Sequence, residues 1–423
     1  MVLGAGYDLR KALELCRAAG AETFWLDAAH QQLRRFPGWQ RCEIPGVDQD
    51  PALRAAIQRL ELGGPSDPIE ALCRDETVSY APLVRRAFQR YLQDGVPQTI
   101  ALRAFLAAAH RHLGIDLALS PSGPERMMSS TVFDFCRERC IPIAVMQHGT
   151  YGHVDNPITN YYEFGFDGDF LAWGAGVEAH YGATKRGAVR FVPVGSPGLD
   201  RLAARRDRTA RRARRVMYIT TDLRGASAYF PGGQPFLDTT YYRFQQTVLT
   251  LLARYQHAYD LWLKVPPGID GNDLARNPIR EWLKAGGARI AVERRPLVQV
   301  IEEPALFLID FPSTTLLQCL ATRAQVIVFT GSPHFRLLPE ARRLLAARAT
   351  CCESPEAFLQ AVEAQLQRGP AVTPEPDDAF LSRYGTFQHD GAALERLRAY
   401  LQARGLGAAS APAVSGAVAW PRP

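Results

Sequence analysis

The sequence predicts an α/β protein built from two doubly wound units. Three observations carry that expectation. Short runs of Val, Ile, Leu and Phe recur along the chain, and several are continuous rather than alternating, as strands buried on both faces require. Longer amphipathic stretches separate these runs. The alternation is broken once, between residues 201 and 215, by a segment with eight arginines. The length of 423 residues accommodates two or three domains.

In chain order, the first series of expected strands covers 23–26, 115–119, 141–146, 169–173 and 190–194. The second covers 216–220, 260–265, 289–292, 306–310 and 325–329. Helical patterns lie at 84–93, 99–113, 242–259 and 355–367. These divide the chain into an N-terminal unit over 1–200, an arginine-rich linker over 201–215 and a C-terminal unit over 216–406. The Ala/Gly/Ser/Pro stretch over 407–423, almost without charge, reads as a disordered tail.

Composition narrows the class. Apolar residues make up 47% and charged residues 22%, which excludes disordered, collagenous and disulfide-scaffold proteins. The net charge of +6 is too mild to argue for nucleic acid. Basic residues are nearly all Arg; the lysines are Lys11, Lys185, Lys264 and Lys284. Eight scattered cysteines without a CxxC pair argue against a zinc site or disulfide set and favour a reducing, cytoplasmic compartment. No signal peptide or run of 18 apolar residues is seen, so any membrane association is expected to be peripheral. The arginine segment reads as a solvated helix or linker, or as a patch for anionic lipid or a pyrophosphate-linked acceptor.

Five constellations follow strand ends. Gln147-His148-Gly149-Thr150 follows the strand ending at Met146. Side chains there face the crevice in which open α/β sheets bind ligands, and His148 suits general-base work or a capping role. Gly195-Ser196-Pro197-Gly198-Leu199-Asp200 reads as a turn opening a helix. Thr220-Thr221-Asp222-Leu223-Arg224 offers hydroxyls and a guanidinium for phosphate or sugar oxygens, and the Gly/Pro-rich segment over 225–238 reads as a loop over the site. Lys264 ends an apolar strand, where it meets a negative group or projects to solvent. Asp310-Phe311-Pro312-Ser313-Thr314-Thr315 joins a strand to a helix expected over 316–322. Its Pro and Ser/Thr suit capping, and its backbone N–H groups with three hydroxyls suit a phosphate. Upstream, Glu302 or Glu303 is a candidate for a ribose hydrogen bond or a surface carboxylate. The Walker and GxSxG motifs are missing, and Gly4-Ala5-Gly6 is half a dinucleotide fingerprint.

The order of these pieces resembles the GT-B glycosyltransferase-like enzymes of bacterial surface-polymer synthesis, in particular the capsule polysaccharide and CDP-glycerol glycerophosphotransferase group. His148-Gly149-Thr150 is similar to that group's HGT motif. Gly195, Pro197 and Asp200 match its turn, and Thr220, Thr221 and Arg224 its strand-end loop. Lys264 matches its lysine strand, and Asp310, Ser313 and Thr314 its strand-to-helix turn. Phe380, Tyr384, Asp390 and Gly391 fit the spacing of a closing helix. The resemblance covers roughly 115–400. The first 110 residues match nothing nameable. One departure is clear: the group's second His after the lysine strand is replaced by Val265, Pro266 and Pro267.

The resemblance implies a GT-B fold, two Rossmann-like domains facing a cleft, and transfer of a sugar from a nucleotide-activated donor, CMP- or UDP-linked, to a surface glycan or lipid-linked acceptor. It implies His148 and Asp310 as catalytic residues, His148 as base or as donor to the leaving phosphate and Asp310 orienting the turn, and Gly149, Thr150, Thr220, Thr221, Arg224, Lys264, Ser313, Thr314, Thr315 and Glu302 as donor-binding residues. No metal or cofactor beyond the donor is expected. A CDP-glycerol-type polyol phosphotransferase, a nucleotide-sugar 2-epimerase and a non-catalytic polysaccharide-assembly protein remain as alternatives.

Overall fold

The computed structural model describes residues 7–27, 32–35, 40–42, 81–124, 127–149, 152–155, 163–206, 212–221, 236–265, 278–286, 288–333, 336–370 and 375–406. The first described strands are β1 (Phe24–Asp27), β2 (Gln32–Arg35), β3 (Gln40–Cys42), β4 (Ala118–Ser120) and β5 (Ile143–Met146). Then come β6 (Val154–Asp155), β7 (Gly168–Ala172), β8 (Val189–Pro193), β9 (Arg212–Ile219) and β10 (Asp260–Lys264). The last are β11 (Ile290–Glu293), β12 (Pro304–Ile309), β13 (Gln325–Phe329), β14 (Arg336–Leu337) and β15 (Thr350–Cys352). Two compact units result: residues 1–144 with 397–423, and residues 145–396. The first division falls inside β5.

β4, β5, β7 and β8 form a four-stranded sheet in that order, with β7 and β8 parallel. β9 to β13 and β15 form a six-stranded sheet of order β11-β10-β9-β12-β13-β15, parallel throughout. Numbered from β9, that order is 3-2-1-4-5-6, the dinucleotide-fold order, which reverses between β9 and β12. The α/β class with doubly wound, Rossmann-like architecture therefore holds.

Side-chain parity explains the winding. Met217, Ile219, Phe307, Ile309, Val326 and Val328 face one core with the helices Leu297–Val300, Thr314–Leu320 and Pro339–Ala346. Val216, Tyr218, Leu306, Leu308, Ile327 and Phe329 face the other with the helices Asp238–Ala253, Pro278–Gly286 and Pro355–Arg368. Alternate residues of one strand thus fill two separate cores, so these strands read as unbroken apolar runs.

Three expectations change. The strand expected at 23–26 forms as β1, but it pairs antiparallel with β2 in a separate three-stranded sheet. Its four residues carry no signal that chooses between parallel and antiparallel partners. The segment 201–215 is not a continuous linker: the helix Pro197–Ala203 runs into it and β9 begins at Arg212. Arg215 is buried, ion-paired with Asp260 and Glu303, with its guanidinium 4.4 Å over the Trp262 ring. It closes the amino end of the sheet and is not free to meet lipid. The third change is at the edge strand β15, whose Thr-Cys-Cys run carries almost no periodicity. The tail over 407–423 lies outside the described residues.

The closing segment of the 145–396 unit turns sharply. Phe387, Gln388 and His389 adopt φ of 40°, 66° and 52°, a left-handed run that L-residues avoid. Its neighbours hold it there. Arg396 donates to the carbonyls of Val194, Thr386 and Phe387 and pairs with Asp390. His389 meets Thr386 Oγ1 at 2.9 Å and Asp378 at 3.2 Å.

Candidate active site

The carboxyl ends of β9 and β12 meet at the strand-order reversal. In register, Leu308 stands beside Tyr218 and Ile309 beside Ile219. Parity then puts Asp310, the residue after β12, on the face of Tyr218. The Tyr218 hydroxyl donates to Asp310 Oδ2 at 2.8 Å, and the Tyr241 hydroxyl donates to the same oxygen at 2.7 Å. The backbone N–H of Thr221 in turn donates to the Tyr241 hydroxyl oxygen at 2.8 Å. This relay ties the loop after β9 to the turn after β12.

Asp310 is fully buried, and its Oδ1 has no hydrogen-bond partner among the described residues. Burial pushes its pKa up to about 7, against the two tyrosine hydroxyls that stabilise the anion. Burial, with the Asp310 charge, raises both tyrosines well above their ordinary value. Enclosed in this way, Asp310 links the turn after β12 to Tyr218 and Tyr241.

The turn delivers three hydroxyls to the start of the helix Thr314–Leu320. Ser313 occupies the N-cap position but makes no side-chain cap; its Oγ lies 2.8 Å from Thr315 Oγ1. Simple capping therefore does not account for it. The helix starts two residues earlier than periodicity suggests, because Leu316 and Leu317 lie in its first turn and are already core residues.

One strand over, Thr220 donates its N–H to the Lys264 carbonyl at 3.0 Å. The Lys264 side chain is buried, and its Nζ donates to Val265 O at 2.6 Å. Burial lowers its pKa, opposed by the carboxylate of Glu293, its register partner on β11. Hydrogen bonds from Arg295, as near as 2.5 Å, keep that carboxylate's pKa low against burial. Of the two expected positions for Lys264, the structure shows the one beside a negative group.

The loop after β5 is shaped by Gln147. Its Nε2 donates to Gly149 O at 2.7 Å, and its Oε1 accepts the Trp173 N–H at 2.8 Å. His148, between these anchors, is exposed. Gly152 has φ +85°, and a Cβ there would lie 2.6 Å from Val177 N. Beyond it, His153 is fully buried, 3.3 Å from Pro312 O through Nε2, with its ring against Phe380 and Tyr384 at 5.5 and 5.7 Å. The loop therefore bears directly on the Asp310–Thr315 turn through His153, which sequence reasoning passed over.

The structure thus gathers Thr220, Thr221, Lys264, Asp310, Ser313, Thr314 and Thr315 at one edge of one sheet. It does not bring Glu302 there. Glu302 precedes β12 and Asp310 follows it, so six extended residues separate them by about 20 Å. Glu302 is corrected to the opposite edge, because a parallel strand carries its two ends to opposite sides of the sheet. Thr150 and Arg224 lie outside the described residues, as does the loop over 225–235. Tyr218 and Tyr241 were also missed; Tyr218 shares the strand parity of Asp310, whereas Tyr241 comes from the helix Asp238–Ala253 and had no such signal. The Gly195–Asp200 turn is structural: Ser196 Oγ accepts the Leu199 N–H, and the buried Asp200 carboxylate accepts the Ala393 N–H at 2.9 Å. A hollow of about 730 Å³ lined by Arg243, Thr247, Trp282 and Glu363 lies on the outer helices instead.

Comparison with known proteins decides the family. A model described as the LIC12162 family transferase matches residues 102–348, more than half of the chain. The chain belongs to this family. The LIC12162 family match spans β4 to the helix Pro339–Ala346 and so includes every strand-end residue gathered above. It makes the protein a transferase, the class the sequence resemblance implies. No curated protein matches the chain. Among solved structures, this LIC12162 family member is similar to a UDP-GlcNAc 2-epimerase from Neisseria meningitidis bound to UDP-GlcNAc (10% identity, 80% of this chain and 95% of that one, TM-score 0.46). It is also similar to an α,α-trehalose-6-phosphate synthase from Burkholderia multivorans (14%, 76% and 78%, 0.45) and to MurG from Acinetobacter baumannii (13%, 95% and 99%, 0.42).

Proposed function

We propose that this transferase moves a sugar from a nucleotide-activated donor, CMP- or UDP-linked, to a bacterial surface glycan or lipid-linked acceptor, on a GT-B arrangement. The observation that carries this reading is the convergence of Thr220-Thr221 and Asp310–Thr315 at the strand-order reversal of a 3-2-1-4-5-6 sheet. Open α/β sheets bind nucleotides at that position. In this reading the hydroxyls of Ser313, Thr314 and Thr315 and the adjacent backbone N–H groups receive the donor phosphates. Thr220 and Thr221 line the other side, with Arg224 contributing a guanidinium. Lys264 supplies positive charge beneath the phosphates from its buried position. Gly149 and Thr150 join the donor-binding set, and His148 takes the proton from the attacking hydroxyl. The reaction needs no cofactor beyond the donor. The acceptor places the enzyme at the inner face of a membrane; among the described residues, no helix is long and apolar enough to cross one.

A thermal-shift screen with CMP, CDP, UDP, GDP and their sugar conjugates tests the donor. One nucleotide at about 100 times its Kd is expected to stabilise the fold by about 2.7 kcal/mol, a shift of a few degrees. Ser313→Ala with Thr314→Ala should shrink that shift. No shift with any nucleotide would remove the reading. For the base, His148→Ala should lower turnover by at least about 100-fold with an unchanged Tm, because the side chain is exposed. Near-normal turnover in that variant would sink the role.

A further inference from the structure

The helix Ala81–Arg90 continues through a π-helical turn, Tyr91–Gly95, into the helix Val96–Leu113. Together they run from residue 81 to 113, about 50 Å at 1.5 Å per residue. The two ends of this rod differ. The second half is anchored by the buried Leu102, Phe105 and Leu106. In the first half only Ala81 is buried. Leu83, Val84, Phe88 and Tyr91 are exposed by 69%, 39%, 43% and 45%, and the last two rings stack on each other at 6.1 Å.

At 100° per residue, Leu83, Val84, Ala87, Phe88 and Tyr91 fall within one arc of about 140°. Arg85 flanks that arc on one side and Arg90 on the other, with Arg86 behind. Residues 81–93 contain no Asp or Glu. This stretch lies outside residues 102–348, which the family match covers.

We propose that this helix is a membrane-docking surface, laid in the interface of an anionic bilayer with Leu83, Val84, Phe88 and Tyr91 among the acyl chains and the arginines at the phosphates. Charge decides the occupant. An apolar stripe flanked by Arg85, Arg86 and Arg90 matches a lipid surface, which offers both hydrocarbon and dense negative charge. A second copy of the same helix would set arginines against arginines. The inference rests on exposure and charge, not on the donor reading, and it fails or stands independently of it.

The test is flotation of the full chain with vesicles of phosphatidylcholine alone or with added phosphatidylglycerol. Wild type is expected to float at least about tenfold better with the anionic vesicles, and less well as salt rises. Phe88→Ser with Tyr91→Ser should abolish flotation, and Arg86→Glu with Arg90→Glu should abolish the preference for anionic lipid. Both variants should keep the wild-type melting temperature. Failure of wild type to float, or equal flotation of the variants, overturns the proposal. So does a marked loss of stability in Phe88→Ser with Tyr91→Ser, which would mean that the chain itself covers the stripe. A concentration-dependent dimer lost in that variant would give the stripe to a second copy and overturn it as well.

Discussion

Asp310→Ala is expected to destabilise the protein by about 2–6 kcal/mol. The replacement leaves two buried tyrosine hydroxyls, Tyr218 and Tyr241, without their acceptor, and each such group costs about 1–3 kcal/mol. Asp310→Asn keeps an acceptor oxygen and removes the ionisation, so it separates the bond from the charge. The folded-state pKa, about 7, lies above the unfolded carboxylate value of about 3.9. The folded chain therefore binds more protons than the unfolded one between these values. The stabilisation from holding that proton is complete below about pH 4 and is lost as pH rises through about 7. Urea denaturation at about pH 5 and pH 8 should show wild type losing stability across the interval by more than Asp310→Asn, by at most a few kcal/mol. Equal pH slopes in the two proteins would show that Asp310 is ionised throughout.

The second large effect is expected at Gly195. Its φ is +81°, and a Cβ there would sit 2.6 Å from Thr386 O. Ser196 next to it donates to Gly385 O at 3.0 Å, so the two backbones cannot separate without losing that bond and loosening the Arg396 clamp. Gly195→Ala combines left-handed strain with overpacking, about 2–4 kcal/mol in total. Gly391→Ala is the matched control. Its φ is +75°, but nothing lies within 4 Å of the added Cβ, so it should cost only about 1 kcal/mol. Guanidinium denaturation of the pair reads the difference directly. Equal losses would mean that contact with the closing segment contributes nothing.

Much of the site was legible before any coordinates. The apolar runs ending at Ile219, Lys264, Ile309 and Phe329 are strands buried on both faces, and parallel strands place their following residues at one edge. Thr220, Lys264 and Asp310 could therefore be grouped from order alone. The fate of each side chain could not. Lys264 was open between solvent and a carboxylate until Glu293 appeared in register with it. Glu302 precedes β12 and Asp310 follows it, so the parallel order that groups Asp310 with Thr220 and Lys264 already places Glu302 at the other edge. His148 drew attention through its neighbouring glycines, whereas His153 is the one that touches the Pro312 turn.

The sequence by itself determined the α/β class, every strand of the six-stranded sheet but β15, the approximate strand positions of the four-stranded sheet and the polar turn from Asp310 to Thr315. These depend on local periodicity and on backbone groups that must be satisfied near their own position in the chain. Tertiary structure alone decided the partners. Asp310 meets Tyr241 and Tyr218 across 69 and 92 residues, and His153 meets Pro312 across 159. It also turned β1 into an antiparallel sheet and sealed Arg215 into an ion-paired cluster. Periodicity records that a side chain is buried, but not which distant group it is buried against, and that second fact decides which hydroxyls oppose the burial that raises the Asp310 pKa.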